Sequence, residues 1–286
     1  MSDQPAPRVL VFDSGVGGLS VASCIVEELP GIELVYLADN LGFPYGDKPE
    51  SVVVERCLSL IAAVLETVPC DVIVVACNTA STVVLPHLRA MTDVPVVGVV
   101  PAIKPAAAKT ENGRIGVLAT PATIRRPYLD SLVNEFAAHC QVERIGHSGL
   151  VRWAEDLVRG VPVPMEALAA SVAGFRRVDV DTVVLGCTHY PLLGAALREV
   201  LPGVHHWVDS GQAIARRVAY WLTELGGIER ALAPEQGIPW PVRCALFSGP
   251  APEGVAGFMA GLGLPARSIL ANWPSRDGRV RSVGLA

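Results

Sequence analysis

Little in this 286-residue chain suits a membrane, a nucleic acid or an oxidising compartment. Aromatic residues make up only 6% of it. Its apolar stretches are cut by Gly, Pro or charge before they reach the roughly 18 residues of a membrane-spanning helix. The first residues, MSDQPAPRVLVF, have neither the basic start nor the apolar run of a secretory signal. Positive charge is also short: the net charge is −5, so no basic face for a nucleic acid is expected. No Cys-x-x-Cys or His-x-x-x-His pair occurs, so no metal is expected. The seven cysteines are odd in number and follow no framework spacing. They read as free thiols of a reducing compartment, and the expected location is cytoplasmic.

What is abundant is Ala, Val, Leu and Gly, and 51% of the residues are hydrophobic. This composition fits α/β units built on buried parallel strands. Strands and helices alternate in the pattern. Strands are predicted at Arg8–Phe12, Glu33–Ala38, Val72–Ala76 and Val94–Val100. Helices are predicted at Leu19–Leu29, at Ser51–Thr67 with Ser51 as cap, and from Asn78 to Arg89, where Pro86 would shorten or kink the helix. The pattern then restarts with a strand at Arg114–Ala119, a mostly helical stretch from Thr123 to Cys140 and an extended Gln141–Ile145. A helix over Val163–Arg176 and a strand at Thr182–Leu185 follow, then a helix to about Val200. From Gly211 the tail reads as a helix to Leu225, a Pro-rich connection, a strand near Arg243–Phe247 and a helix near Val255–Leu262.

The restart is a repeat. Arg8–Ser14 (RVLVFDS) aligns with Arg114–Thr120 (RIGVLAT), and Val72–Ser81 (VIVVACNTAS) with Thr182–Pro191 (TVVLGCTHYP), at nearly one offset. Two similar α/β domains with mostly parallel sheets are expected, related by a pseudo-twofold, with the active site in the cleft between them. The first would hold residues 1–100 plus 210–286 and the second 101–209.

Ligands of open α/β sheets bind outside the carboxyl ends of the strands. Four such ends are polar here: Asp13-Ser14-Gly15, Cys77-Asn78-Thr79, Thr120-Pro121-Ala122-Thr123 and Cys187-Thr188-His189. Cys77 and Cys187 hold equivalent places in the two halves, each after a buried strand and before a helix, where backbone N–H groups favour an anionic sulfur. Two thiols suit the inversion of a carbon: one removes a proton from one face and the other returns a proton to the opposite face. Asp13 would orient or deprotonate Cys77, or else accept backbone N–H bonds within its turn. His189, two residues past Cys187, is that thiol's natural proton partner. Cys24, Cys57, Cys70, Cys140 and Cys244 lack this context and read as structural. The run Gly15-Val16-Gly17-Gly18-Leu19-Ser20, with Asp39 about 20 residues on, imitates a dinucleotide fingerprint, but Ser20 stands where the third glycine belongs. The loop instead suits a small anion.

At the level of whole motifs, Phe12–Ser20 (FDSGVGGLS), Phe43–Lys48 (FPYGDK), Ala76–Ser81 (ACNTAS), Gly186–Leu193 (GCTHYPLL) and Phe247–Pro250 (FSGP) resemble the glutamate racemases of the aspartate/glutamate racemase superfamily. The resemblance runs through most of the chain. It implies a cofactor-independent isomerase that interconverts L- and D-glutamate and supplies D-glutamate for peptidoglycan. By the resemblance, Cys77 takes the α-proton from D-glutamate and Cys187 takes it from L-glutamate, with Asp13 and His189 assisting. It also assigns substrate contacts to Asp13, Ser14, Pro44, Tyr45, Gly46, Asn78, Thr79, Thr120, Thr123, Glu155, Thr188 and His189. No arginine lies in these motifs, so neutral donors would bind the carboxylates. The Phe43–Gly46 loop would close over the substrate or serve as an ordinary connection. The resemblance admits a homodimer. The alternatives are an aspartate or hydantoin racemase of the same superfamily, or a non-catalytic amino-acid-binding regulator.

Overall fold

The computed structural model describes residues 5–233 and 240–274. The chain folds as two units, Met1–Val99 with Gly211–Ala286, and Val100–Ser210. In chain order the first unit supplies β1 (Arg8–Asp13), α1 (Leu19–Glu28), β2 (Glu33–Ala38), α2 (Glu50–Thr67), β3 (Val72–Val75), α3 (Asn78–Met91) and β4 (Val96–Gly98). The second supplies α4 (Ile103–Lys109), β5 (Arg114–Ala119), α5 (Pro121–Ile124), α6 (Pro127–Phe136), β6 (Gln141–Gly146), α7 (Gly149–Val158), α8 (Met165–Ser171), α9 (Ala173–Arg177), β7 (Thr182–Leu185), α10 (Gly194–Val200) and β8 (His206–Val208). The chain then returns to the first unit for α11 (Gly211–Glu224), α12 (Ile228–Leu232), β9 (Val242–Phe247), α13 (Val255–Gly261) and β10 (Ile269–Leu270). Two 3-10 turns, Tyr45–Asp47 and Tyr190–Leu193, punctuate the loops.

Each unit has the expected α/β character, with one parallel sheet. The strand orders are β10-β9-β2-β1-β3-β4 and β6-β5-β7-β8. The central strands β3 (VIVV) and β7 (TVVL) are buried at every position, as β-branched runs covered on both faces should be. In the first unit α2 lays Val53, Cys57, Leu60, Ile61 and Val64 against Leu10, Phe12, Ile73 and Val75. Burying each such aliphatic side chain is worth about 1.5–3 kcal/mol, which holds the helix on the sheet more firmly than its own propensity does. A second core around Ile115, Val117, Leu129 and Val184 serves the other unit.

The register lines up the strand ends. Asp13 lies opposite Ala38, and Phe12 opposite Val75. In the second sheet Ala119 lies opposite Gly146, and Leu118 opposite Leu185. Main-chain bonds continue past the strands, from Asp39 N to Asp13 O (2.9 Å), Ala76 N to Phe12 O (2.8 Å), Gly186 N to Leu118 O (2.8 Å) and His147 N to Ala119 O (3.1 Å). The residues that follow each strand therefore emerge along one edge of their own sheet.

Several boundaries differ from the pattern reading, each with a local cause. Helix α2 starts at Glu50 behind Pro49, and Ser51 does not cap it. Pro86 sits inside α3, which runs on to Met91. The stretch from Thr123 to Cys140 splits because Pro127 keeps Arg126 extended (φ −74°, ψ 128°). The Val163–Arg176 prediction resolves into α8 and α9, and β4 is shorter than predicted. The short elements α4, β8 and β10 carry too little pattern to be seen in advance. Helix α7 was unforeseen for another reason. Ser148 stands at its cap position but makes no side-chain cap bond, and the Gly149 N–H goes instead to His147 Nδ1 at 3.1 Å. The Pro-rich connection predicted before β9 lies partly outside the described residues.

Candidate active site

The first unit gathers its predicted residues at the carboxyl edge of β1 and β3. Asp13 ends β1 and is fully buried. Its Oδ1 accepts the Gly15 N–H at 2.9 Å, so one carboxylate oxygen closes the turn. Tyr36 donates its hydroxyl to Gly15 O at 2.6 Å. Gly18 has to be small, since a Cβ there would lie 2.7 Å from Asp13 Cβ and 3.1 Å from the Tyr36 hydroxyl. The glycine-rich turn thus packs on the Asp13 side chain.

Cys77 leaves β3 in an extended conformation (φ −64°, ψ 118°) and occupies the cap position of α3. Its carbonyl accepts the Ser81 N–H at 2.9 Å. Its sulfur lies 3.7 Å from the Ser14 hydroxyl oxygen. A sulfur at the start of a 14-residue helix meets unpaired N–H groups and the positive end of the dipole, both of which favour a thiolate. Asn78 follows, largely buried, and its Oδ1 has no hydrogen-bond partner among the described residues. A buried acceptor without a donor is costly, and a ligand N–H would satisfy it. Thr79 is half-buried in the first turn of α3. Pro44 leads the turn that holds Tyr45 and Gly46, and the buried Tyr45 ring stands 6.3 Å from that of Phe12.

The second unit assembles the other residues on its own sheet edge. Cys187 follows β7 and is buried, with its sulfur 3.8 Å from His189 Nδ1. His189 Nε2 lies 2.8 Å from Glu155 Oε1, which α7 presents. Glu155 therefore meets the imidazole of His189. Burial pulls the proton affinity of His189 down, but the bonds to Cys187 and Glu155 outweigh it and hold the ring well above its ordinary value. Both neighbours thus favour the protonated ring. The two cysteines differ here from expectation: Cys187 precedes a 3-10 turn and not a long helix, and the neighbour of its sulfur is the His189 ring. Thr188 is buried next to it. Thr120 caps α5 by accepting the Thr123 N–H at 3.2 Å, and the two threonine hydroxyls lie 3.0 Å apart.

Four of the remaining cysteines have different surroundings. Burial pushes the Cys70 thiol up to about 12 and Cys244 up to about 11, and it raises Cys57 and Cys140 as well. Asp39, the acid of the imitation dinucleotide fingerprint, is fully buried and bonded to Arg56 through both oxygens, so no ribose can reach it. Sequence reasoning did not single out Arg56 and Ser248, which bond to Asp39, or His147, which accepts the first N–H of α7. Ser248 lay in the noted FSGP motif, whereas Arg56 and His147 carried no signal. A surface cavity of ≈ 570 Å³ beside β4, lined by Arg89, Thr92, Arg217 and Trp221 among others, contains none of the predicted residues. Among the described residues no helix is long and apolar enough to cross a membrane.

Each of the two α/β units thus ends a central parallel strand in a polar turn that carries a cysteine. The sequence profile of the Asp/Glu/Hydantoin racemase family matches residues 17–218, and the chain belongs to that family. Within it the similarity is to glutamate racemases. The glutamate racemase of Klebsiella pneumoniae (strain 342) is 52% identical over 222 residues, 77% of this chain and 78% of that protein. The crystal structure of Escherichia coli glutamate racemase, in complex with L-glutamate and the activator UDP-MurNAc-Ala, superposes with a TM-score of 0.82 at 44% identity, covering 93% of this chain and 99% of that one. The glutamate racemase of Thermus thermophilus, solved with beta-chloro-D-alanine, gives a TM-score of 0.70 at 31% identity, covering 94% and 98%.

Proposed function

We propose that this chain interconverts L- and D-glutamate by proton transfer at Cα without a cofactor, with Cys77 and Cys187 as the two acid–base groups, and so supplies D-glutamate for peptidoglycan synthesis. The observation that carries this reading is that each unit offers one cysteine at the end of a central parallel strand, beside a group able to exchange a proton or stabilise charge: Ser14 at Cys77, and His189 with Glu155 at Cys187.

One sulfur, as thiolate, takes the α-proton and becomes a thiol. The electron pair left on Cα then takes the proton of the second thiol, which becomes the thiolate. The product has the opposite configuration, and the two sulfurs have exchanged protonation states. His189 stabilises the charge on Cys187 and the start of α3 does so for Cys77, while Asp13 orients or deprotonates the Cys77 thiol. The unpartnered Asn78 Oδ1 suits the substrate ammonium, and the hydroxyls of Ser14, Thr79, Thr120, Thr123 and Thr188, with the N–H groups of the Tyr45-Gly46 turn, suit the carboxylates.

The test is solvent exchange. Purified protein without added pyridoxal phosphate, nucleotide or metal is incubated in D₂O with each enantiomer of glutamate and, separately, of aspartate. The assay is run with and without UDP-MurNAc-Ala, because the E. coli relative is solved with that activator. Deuterium at Cα of glutamate together with inversion is expected. Exchange that needs pyridoxal phosphate, or better turnover of aspartate, overturns the reading.

A further inference from the structure

A buried knot of polar groups in the first unit lies outside the roles given above. Asp39, at the end of β2, is fully buried and accepts five hydrogen bonds. They come from Arg56 Nε and Nη2 of α2 (2.6 Å each), the Tyr45 hydroxyl (2.6 Å), the Ser248 hydroxyl beyond β9 (2.6 Å) and Gly42 N–H (3.2 Å). The Asp39 backbone N–H in turn bonds to the carbonyl of Asp13. Four chain segments thus meet on one carboxylate.

Stability alone is a poor explanation for such a knot, because buried ion pairs are often no more stable than an apolar filling of the same volume. What the knot fixes is position. The Tyr45 hydroxyl donates to Asp39 and receives the Cys57 thiol at 3.7 Å. Burial, with Cys57 and Asp39 beside it, raises the proton affinity of that hydroxyl far above the ordinary tyrosine range, so it stays a neutral donor. Already engaged on both sides, it presents the turn through its backbone. The packing leaves no slack: a Cβ on Gly42 would sit 2.3 Å from Asp39 Oδ2 and 2.5 Å from Arg56 Nε.

We propose that Asp39, held by Arg56 and Ser248, is a positioning residue that anchors the Tyr45-Gly46 turn through the Tyr45 hydroxyl and thereby sets affinity for the substrate carboxylate. The inference rests on the function proposed above and deepens it. It assigns the knot to binding and not to proton transfer, so its loss appears in KM and leaves kcat nearly intact.

The variants are Tyr45→Phe, Asp39→Asn, Arg56→Met and Arg56→Lys, each measured for KM and kcat and for amide hydrogen exchange in residues 42–48. Tyr45→Phe and Arg56→Met are expected to raise KM about tenfold, to change kcat less than about threefold and to speed exchange in the turn. Arg56→Lys restores part of the affinity, since an ammonium cannot make the bidentate pair. If Asp39→Asn does not fold, Tyr45→Phe and the Arg56 pair decide. Unchanged exchange in residues 42–48, or a fall in kcat at constant KM, overturns the proposal. Failure of the parent protein to racemise glutamate would remove the substrate assignment alone, because the exchange measurement still reads the anchor.

Discussion

Replacing Glu155 with glutamine isolates the charge behind His189. The pair is 2.8 Å long, and its side chains are 2% and 14% exposed, so solvent screens it little. The amide keeps an acceptor oxygen and the side-chain volume, and removes only the negative charge. A hydrogen bond to a charged group contributes about 1.5–3 kcal/mol and a neutral one about 0.5–1.5, so the variant loses about 1–1.5 kcal/mol of bias towards the imidazolium. If that bias is felt when Cys187 carries charge, kcat/KM falls about tenfold. The enantiomers have equal free energies, so kcat/KM must fall equally from L- and from D-glutamate. The pH profile supplies the distinctive readout. Glu155 is one of the groups that raise His189, so without its charge the ring loses its proton at lower pH, and the alkaline limb of kcat/KM moves down. The assay is circular dichroism of glutamate from both directions across the pH range, with thermal melting as the folding control. A folded Glu155→Gln protein with the parent's rate and an unmoved alkaline limb would refute the role assigned to the pair.

Two further outcomes are expected. Gly18→Ala forces a methyl group to within 2.7 Å of Asp13 Cβ, and this overpacking should cost about 1–3 kcal/mol in denaturant titration and depress racemisation by displacing Asp13. A stable variant with full activity would show that the Gly15–Gly18 turn does not place that carboxylate. The two site-side histidines should give opposite pH signatures. His189 is raised in the fold above its ordinary 6.5, so the stability it adds is complete below that value and is lost as pH rises through its elevated one. His147 is lowered by burial, so its contribution is complete above 6.5 and is lost as pH falls through its folded value. Unfolding free energies of His189→Asn and His147→Asn relative to the parent, from about pH 5 to about pH 9, should diverge with these signs, and parallel curves would contradict them.

How much was legible in advance depended on the kind of signal. Strands β3 and β7 announced themselves because a buried parallel strand is an unbroken β-branched run, and the polar residues directly after them could only be turn residues. That same logic brought out Cys77, Cys187, Asp13 and His189 from local sequence. The restart of the pattern at Arg114 exposed the second unit. Arg56, by contrast, reads as one more charge on an amphipathic helix, and its partner Asp39 lies across a loop. Ser248 joins them from the far end of the chain. Contacts of that range leave no periodicity in one sequence. At α7 the Ser148 at the cap position makes no side-chain cap bond, and a histidine ring accepts the first helical N–H instead. The imitation dinucleotide fingerprint was rejected on a missing glycine, and the burial of Asp39 supplies an independent physical reason.

The role of the two sulfurs is tested most directly by Cys77→Ser and Cys187→Ser, each assayed for racemisation and for deuterium uptake at Cα from L- and from D-glutamate. Both variants are expected to fold and to lose racemisation at least about a hundredfold, because a hydroxyl is a far weaker acid–base group than a thiol near neutral pH. Inversion of glutamate at the parent's rate by either single variant would contradict the two-sulfur mechanism.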